Sequence, residues 1–184
     1  ILKQFLHAIR PQNLIREKAQ IHQVLRTTLE TLEAELFERN VKVSLSLAEQ
    51  LPLLDIDKEQ IQQALYNLLR NAAQALPASG GNISIASKFN DHEIILSITD
   101  DGSGISPEQM GALFEPYKTT KESGTGLGLL IVRRIVREHS GEIEIDSEEG
   151  KGTTVKLHFP RVEKHIRLLE SSEDNTLIDI ESTT

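Results

Sequence analysis

A chain of 184 residues with 38% apolar side chains, gathered in periodic runs between glycine, proline and asparagine, has the material for one folded domain with short flanking pieces. Its formal charge of −8 argues against nucleic acid as a partner, and the absence of cysteine excludes disulfides and thiolate metal sites. No apolar run approaches the roughly 20 residues that span a bilayer, so this stretch reads as soluble, while a longer parent could carry membrane segments upstream.

Residues 1–9 read as the last turns of a helix, because Ile1, Leu2, Phe5, Leu6 and Ile9 recur at spacings of three and four until Pro11 stops the pattern. The pattern starts without a cap, as the end of a longer helix would. Residues 21–40 predict a second helix with one apolar stripe of Ile21, Val24, Leu25, Leu29, Leu32 and Leu36, closed by Asn40 as a left-handed residue. Residues 41–47 alternate as a half-buried strand does. A third helix starts behind Asp57 as N-cap and runs to about Leu76, where Pro77 and Gly80-Gly81 break it. Two alternating strands follow at 82–89 and 93–99, then a glycine-rich region over 100–128 with a short helix opened by Pro107. A helix over 126–138 and strands over 142–146 and 153–159, turned at Gly150-Lys151-Gly152, close the domain. Helices and mostly antiparallel strands come in blocks, which predicts an α+β fold, a two-layer sandwich of a mixed sheet on helices. After Pro160 the composition shifts: Val162, Ile166 and Leu169 suit one or two amphipathic turns, and residues 171–184, acidic and rich in serine and threonine, read as a tail or linker. The expected division is therefore 1–18 as a helix end and linker, 19–160 as the domain, and 161–184 as the tail.

Three groups of residues carry chemistry. In the third helix the apolar face is Ile61, Leu65, Leu68, Leu69, Ala72 and Leu76; Asn67, Asn71 and Gln74 form a separate polar stripe. Asparagine is a poor helix former, and two of them one turn apart suggest a use for their amide oxygens, the alternative being an ordinary exposed flank. Asp100-Asp101-Gly102-Ser103-Gly104-Ile105 stands at a strand end, where a carboxylate can accept from an exocyclic amine; a plain Asp/Gly turn is the alternative. Thr119-Thr120-Lys121 and Gly124-Thr125-Gly126-Leu127-Gly128-Leu129 open a helix, whose unpaired N–H groups and positive end suit phosphate; a glycine-rich connector is the alternative. Neither the P-loop nor the dinucleotide fingerprint fits this third group.

In order and spacing these groups resemble the catalytic domain of sensor histidine kinases. That domain belongs to the ATPase superfamily with type II topoisomerase subunits, Hsp90 chaperones and MutL-type repair proteins, built on the Bergerat ATP-binding fold. The asparagine helix is similar to the N box, DDGSGI to the G1 box, FEPYKTTK to the F box and GTGLGL to the G2 box. The resemblance implies that Asn71 ligates Mg²⁺ on the ATP phosphates, with Asn67 lining the same cleft. It implies that Asp100 accepts from the adenine amine, that Gly102, Gly104 and Ile105 shape the pocket, and that Thr153 supports the contact. Phe114 and Tyr117 fall at F-box aromatic positions, although the family usually has phenylalanine at the latter. Thr120, Lys121, Gly124, Thr125, Gly126, Leu127, Gly128 and Leu129 are implied to close over the triphosphate, with residues 105–125 as a lid.

Two departures from the family pattern stand out. A Lys or Arg found in some members three residues after the metal-binding asparagine is Gln74 here, which leaves that phosphate contact to Arg70, to Lys121 or to none. The water-activating glutamate of the hydrolytic branches is replaced by Asn67, which cannot act as a base. The resemblance therefore implies transfer to a protein nucleophile over hydrolysis. None of His7, His22, His92, His139, His158 and His165 sits in the acceptor pattern, and His139 reads as a helix cap or packing group. The phosphorylated histidine is expected outside this chain, on the dimerisation hairpin of a homodimeric parent, with a response-regulator receiver domain as the next partner. A hydrolytic ATPase and a nucleotide-binding switch without chemistry are the rival readings.

Overall fold

The computed structural model describes residues 14–111, 113–114 and 126–161. The helix expected over residues 1–9, the centre of the expected lid and the tail from residue 162 lie outside the described residues. In chain order the elements are β1 (Glu17–Ala19), α1 (Ile21–Glu38), β2 (Val41–Ser46), β3 (Leu54–Ile56), α2 (Lys58–Ala75), β4 (Gly81–Phe89), β5 (Glu93–Asp100), α3 (Pro107–Met110), α4 (Gly128–Glu138), β6 (Glu142–Glu148) and β7 (Gly152–Pro160).

Five strands form one sheet in the order β2-β4-β5-β7-β6. Only β2 and β4 run parallel, because β3 and α2 intervene as the crossover that a parallel pair requires. The other neighbours are antiparallel; β4–β5 and β6–β7 are joined by short turns, while β7 pairs with β5 across the long intervening stretch that holds α3, α4 and β6. One parity of the strands is apolar: Ile83, Ile85, Ile94, Leu96, Ile98, Leu157 and Phe159 are buried beneath the helices. The opposite parity is polar, with Ser44 and Ser84 hydroxyls 3.0 Å apart and Thr99 and Thr154 hydroxyls 3.0 Å apart in one row. Helix α2 lies at the centre of the second layer, packed on α1, α4 and β5, and α4 covers β6. This is the two-layer α+β sandwich that the alternation predicts.

Local chemistry sets the element ends. The Asp57 carboxylate accepts the Gln60 N–H at 3.1 Å, which starts α2 where expected, and its other oxygen accepts the Ile15 N–H at 3.0 Å. Asn40 closes α1 in the left-handed region at φ 53°. Ser106 and Gln109 form a capping box around α3, with Pro107 in its first turn. Strands β1 and β3, paired antiparallel with Ala19 opposite Leu54, went unpredicted. Three residues are too few for alternation to register. Strand β1 also straddles the boundary expected between residues 18 and 19.

His139 caps α4, as its position suggests, and is buried. Its Nδ1 donates to the Ile135 carbonyl at 2.7 Å, and its Nε2 accepts the Asp57 N–H at 3.0 Å, so the neutral ring satisfies both contacts. Burial holds its pKa below the usual 6.5. His22, whose Nε2 lies 2.8 Å from the Ser87 hydroxyl, is lowered by burial and by Arg26. An unfolded chain takes up these protons as the pH falls through about 6.5 while the folded chain resists, so stability is complete above that value and is lost below it. Denaturation midpoints should therefore fall between about pH 7 and about pH 5, and His139→Gln should flatten the decline. A wild-type midpoint independent of pH across that range would contradict this.

Candidate functional site

Asp100 is the last residue of β5 and stands opposite Thr153 on β7. Both lie on the inward parity and both are buried, although neither is apolar. The Asp100 Oδ1 accepts the Gly102 N–H at 3.0 Å, which turns the chain directly beneath the carboxylate. The Ser103 N–H then donates to the Ala75 carbonyl at 3.0 Å, fastening this turn to the C-terminal end of α2. Asp101 does different work. Its carboxylate accepts the Asn82 N–H at 2.7 Å and the Asn82 side-chain amide at 2.6 Å, and these bonds hold its pKa below the ordinary carboxylate value. One aspartate clamps the turn to β4; its neighbour is buried on the inward parity and accepts from the turn itself.

The start of α4 meets the polar stripe of α2. A side-chain carbon at Gly128 would stand 3.7 Å from the Asn67 Oδ1 and 3.9 Å from the Asn71 Nδ2. Both asparagines are half-buried. Leu127, the N-cap residue, is buried and supplies no side-chain acceptor. The start of an 11-residue helix, with unpaired first-turn N–H groups, a positive end and no side-chain cap, therefore lies beside the two asparagines. Gly126 precedes them in the left-handed region at φ 67°, and Leu129 packs against the core.

The third wall is the β6–β7 hairpin. The Ile105 N–H donates to the Ser147 hydroxyl at 2.9 Å, and Gly104 passes the Glu148 carbonyl closely. Ser147 escaped the sequence reading, although it continues the inward parity of Ile143 and Ile145, where a polar residue is a signal. Gly152 was read only as part of a turn; it lies against the Asp100 carbonyl. Tyr117, Thr120, Lys121, Gly124 and Thr125 lie outside the described residues. Phe114 is described, and Arg133 of α4 stacks over its ring at 4.7 Å. Arg70 lies 3.6 Å from Glu35 of α1, an ion pair at the protein surface. A hollow lined by Arg16, Lys18, Leu53 and His139 opens at the far end of α4 and contains none of these residues.

A buried carboxylate beside a hydroxyl suits a hydrogen-bond donor on a flat ring. An uncapped helix start beside two side-chain amides suits an anion together with a hard cation. Among the described residues no three His, Asp or Glu side chains converge to hold a metal, so a cation here would take most of its ligands from the anion and water.

The family model described as histidine kinase-, DNA gyrase B-, and HSP90-like ATPase matches residues 56–163. The chain belongs to that family. It is 37% identical over 161 residues to sporulation kinase E of Bacillus subtilis (strain 168), covering 87% of this chain and 22% of that protein. It is 33% identical over 160 residues to the sensor histidine kinase ZraS of Escherichia coli (strain K12), covering 87% of this chain and 34% of that one. The chain thus spans about a third of one of these relatives and less than a quarter of the other. The solved catalytic domain of histidine kinase ThkA superposes with a TM-score of 0.70 at 27% identity, over 81% of this chain and 96% of that domain. This chain is accordingly an ATP-binding catalytic domain of the sensor histidine kinase kind, with the sandwich arrangement of that group.

Proposed function

We propose that this domain holds ATP with Mg²⁺ between α2, the β5–α3 turn and the start of α4. In the intact protein the γ-phosphate would go to a histidine of the dimerisation hairpin, for relay to a response-regulator aspartate. The observation that carries the reading is the meeting of the uncapped α4 N-terminus with Asn67 and Asn71, beside the buried Asp100. Asp100 would accept from the adenine amine, and Thr153 would line the same edge. The Asn71 amide oxygen would complete the magnesium shell, and the N–H groups from Gly128 onward would cradle phosphate. Magnesium, when bound, neutralises phosphate charge and fixes its geometry. Asn67 stands where a base would have to activate water, and an amide has no proton affinity for that task. This supports transfer over hydrolysis, by positioning and charge neutralisation.

The family match begins at residue 56, while β1 pairs with β3. We therefore take the catalytic domain to run from β1 to β7, with hairpin remnant before it and linker after it. Among the described residues no helix is long and apolar enough to cross a membrane. We place the domain in the cytoplasm, with any anchor elsewhere in a homodimeric parent.

Calorimetric titration with a non-hydrolysable ATP analogue should show binding that requires Mg²⁺. Asn71→Ala should weaken it about tenfold, the worth of one good polar contact, and remove most of the metal dependence. Binding indifferent to Mg²⁺ in the wild type would overturn the assignment.

A further inference from the structure

Ser147 stands at a junction whose hydrogen-bond count has one solution. A serine hydroxyl has a single hydrogen to donate and two lone pairs to accept with. The Ile105 N–H occupies one lone pair at 2.9 Å. The Gly152 carbonyl, which can only accept, lies 2.9 Å away and takes the hydrogen. The third neighbour, the Thr153 hydroxyl oxygen at 2.9 Å, must therefore donate into the remaining lone pair. The Thr153 hydroxyl makes no other hydrogen bond among the described residues. Its hydroxyl is left with lone pairs alone to offer the pocket.

Thr153 is the cross-strand partner of Asp100, and directly opposed side chains on one face stand within about 5 Å of each other. A carboxylate and an oxygen restricted to accepting thus sit side by side. Together they suit an amino group, which brings two N–H donors, and they repel a carbonyl oxygen at the same place. A threonine hydroxyl without Ser147 would be free to rotate and donate, and would serve either.

We propose that Ser147 is a positioning residue that fixes the polarity of the Thr153 hydroxyl and so makes the pocket select a 6-amino purine over a 6-oxo purine. This rests on Asp100 reading the purine edge. The proposal separates Ser147 from a mere clamp between the β5–α3 turn and the β6–β7 hairpin, since a clamp would affect all nucleotides alike.

The test is competition binding of ATP and inosine triphosphate in Mg²⁺, the second carrying a carbonyl where the first carries the amine. Wild type should prefer ATP. Ser147→Ala should cut that preference about tenfold, one hydrogen bond's worth, and Ser147→Thr, which keeps the hydroxyl, should restore it. Equal weakening of both nucleotides in Ser147→Ala would overturn the proposal. Should Ser147→Ala fail to fold, Thr153→Val gives the same reading, because removing the hydroxyl must also reduce the preference; an unchanged ratio there overturns it. A wild type that binds both nucleotides equally would overturn the role of Asp100 along with it. A wild-type preference that survives Ser147→Ala would overturn the role of Ser147 alone.

Discussion

Asp100→Asn should weaken nucleotide binding between about tenfold and about a hundredfold while leaving thermal stability nearly unchanged. A hydrogen bond to a charged group contributes about 1.5–3 kcal/mol net, which brackets that range. The substitution is informative because asparagine keeps an oxygen that can still accept the Gly102 N–H, now made at 3.0 Å. The turn beneath α2 is thus preserved. The aspartate's other oxygen is replaced by an NH₂ group, which opposes a donor with a donor. Calorimetry with the magnesium complex of an ATP analogue, paired with thermal melts, checks both halves. Undiminished binding would remove Asp100 from the site. A collapsed melting temperature would show that its main task is holding the turn.

The largest effect on stability is expected from Gly152→Ala, at about 3–5 kcal/mol, among the costliest single substitutions a domain of this size meets. Gly152 has φ 106°, and an added Cβ would lie 2.0 Å from the Asp100 carbonyl oxygen. To admit it, β5 and β7 must part at the register where Asp100 faces Thr153. Nucleotide binding should therefore fall with stability. Gly150 in the same hairpin supplies the control: it too has positive φ, 78°, but nothing lies within 4 Å of an added Cβ. Gly150→Ala meets only the left-handed backbone penalty, about 1–2 kcal/mol. Chemical denaturation of both variants measures the difference, and similar losses would show that the close approach of the two backbones is not what Gly152 serves.

Legibility in the sequence followed the length scale of each interaction. The stripe from Ile21 to Leu36 and the Asp57 cap are local, so α1 and α2 were readable to within two residues. The inward parity of β4, β5 and β7 was readable for the same reason. Strands β1 and β3 were not, because each has three residues and becomes a strand only by pairing with a segment far away in sequence. Ser147 was passed over because its importance lies in Ile105, Gly152 and Thr153 converging on it, and a lone serine in a strand announces none of that. That Arg70 of α2 pairs with Glu35 of α1 was likewise not legible, because the two are 35 residues apart in sequence.

By itself the sequence determined periodicity, caps, turn positions and the order of four polar motifs, and that was enough to identify the family. Those properties arise from backbone sterics and from side chains within a few positions of one another. Tertiary structure alone decided that the α4 N-terminus abuts Asn67 and Asn71, that Asp100 faces inward while Asp101 clamps Asn82, and that Gly152 lies against the Asp100 carbonyl. Such distances are set by sheet register and helix packing, which sum weak contacts over the whole domain and leave no local mark on the chain.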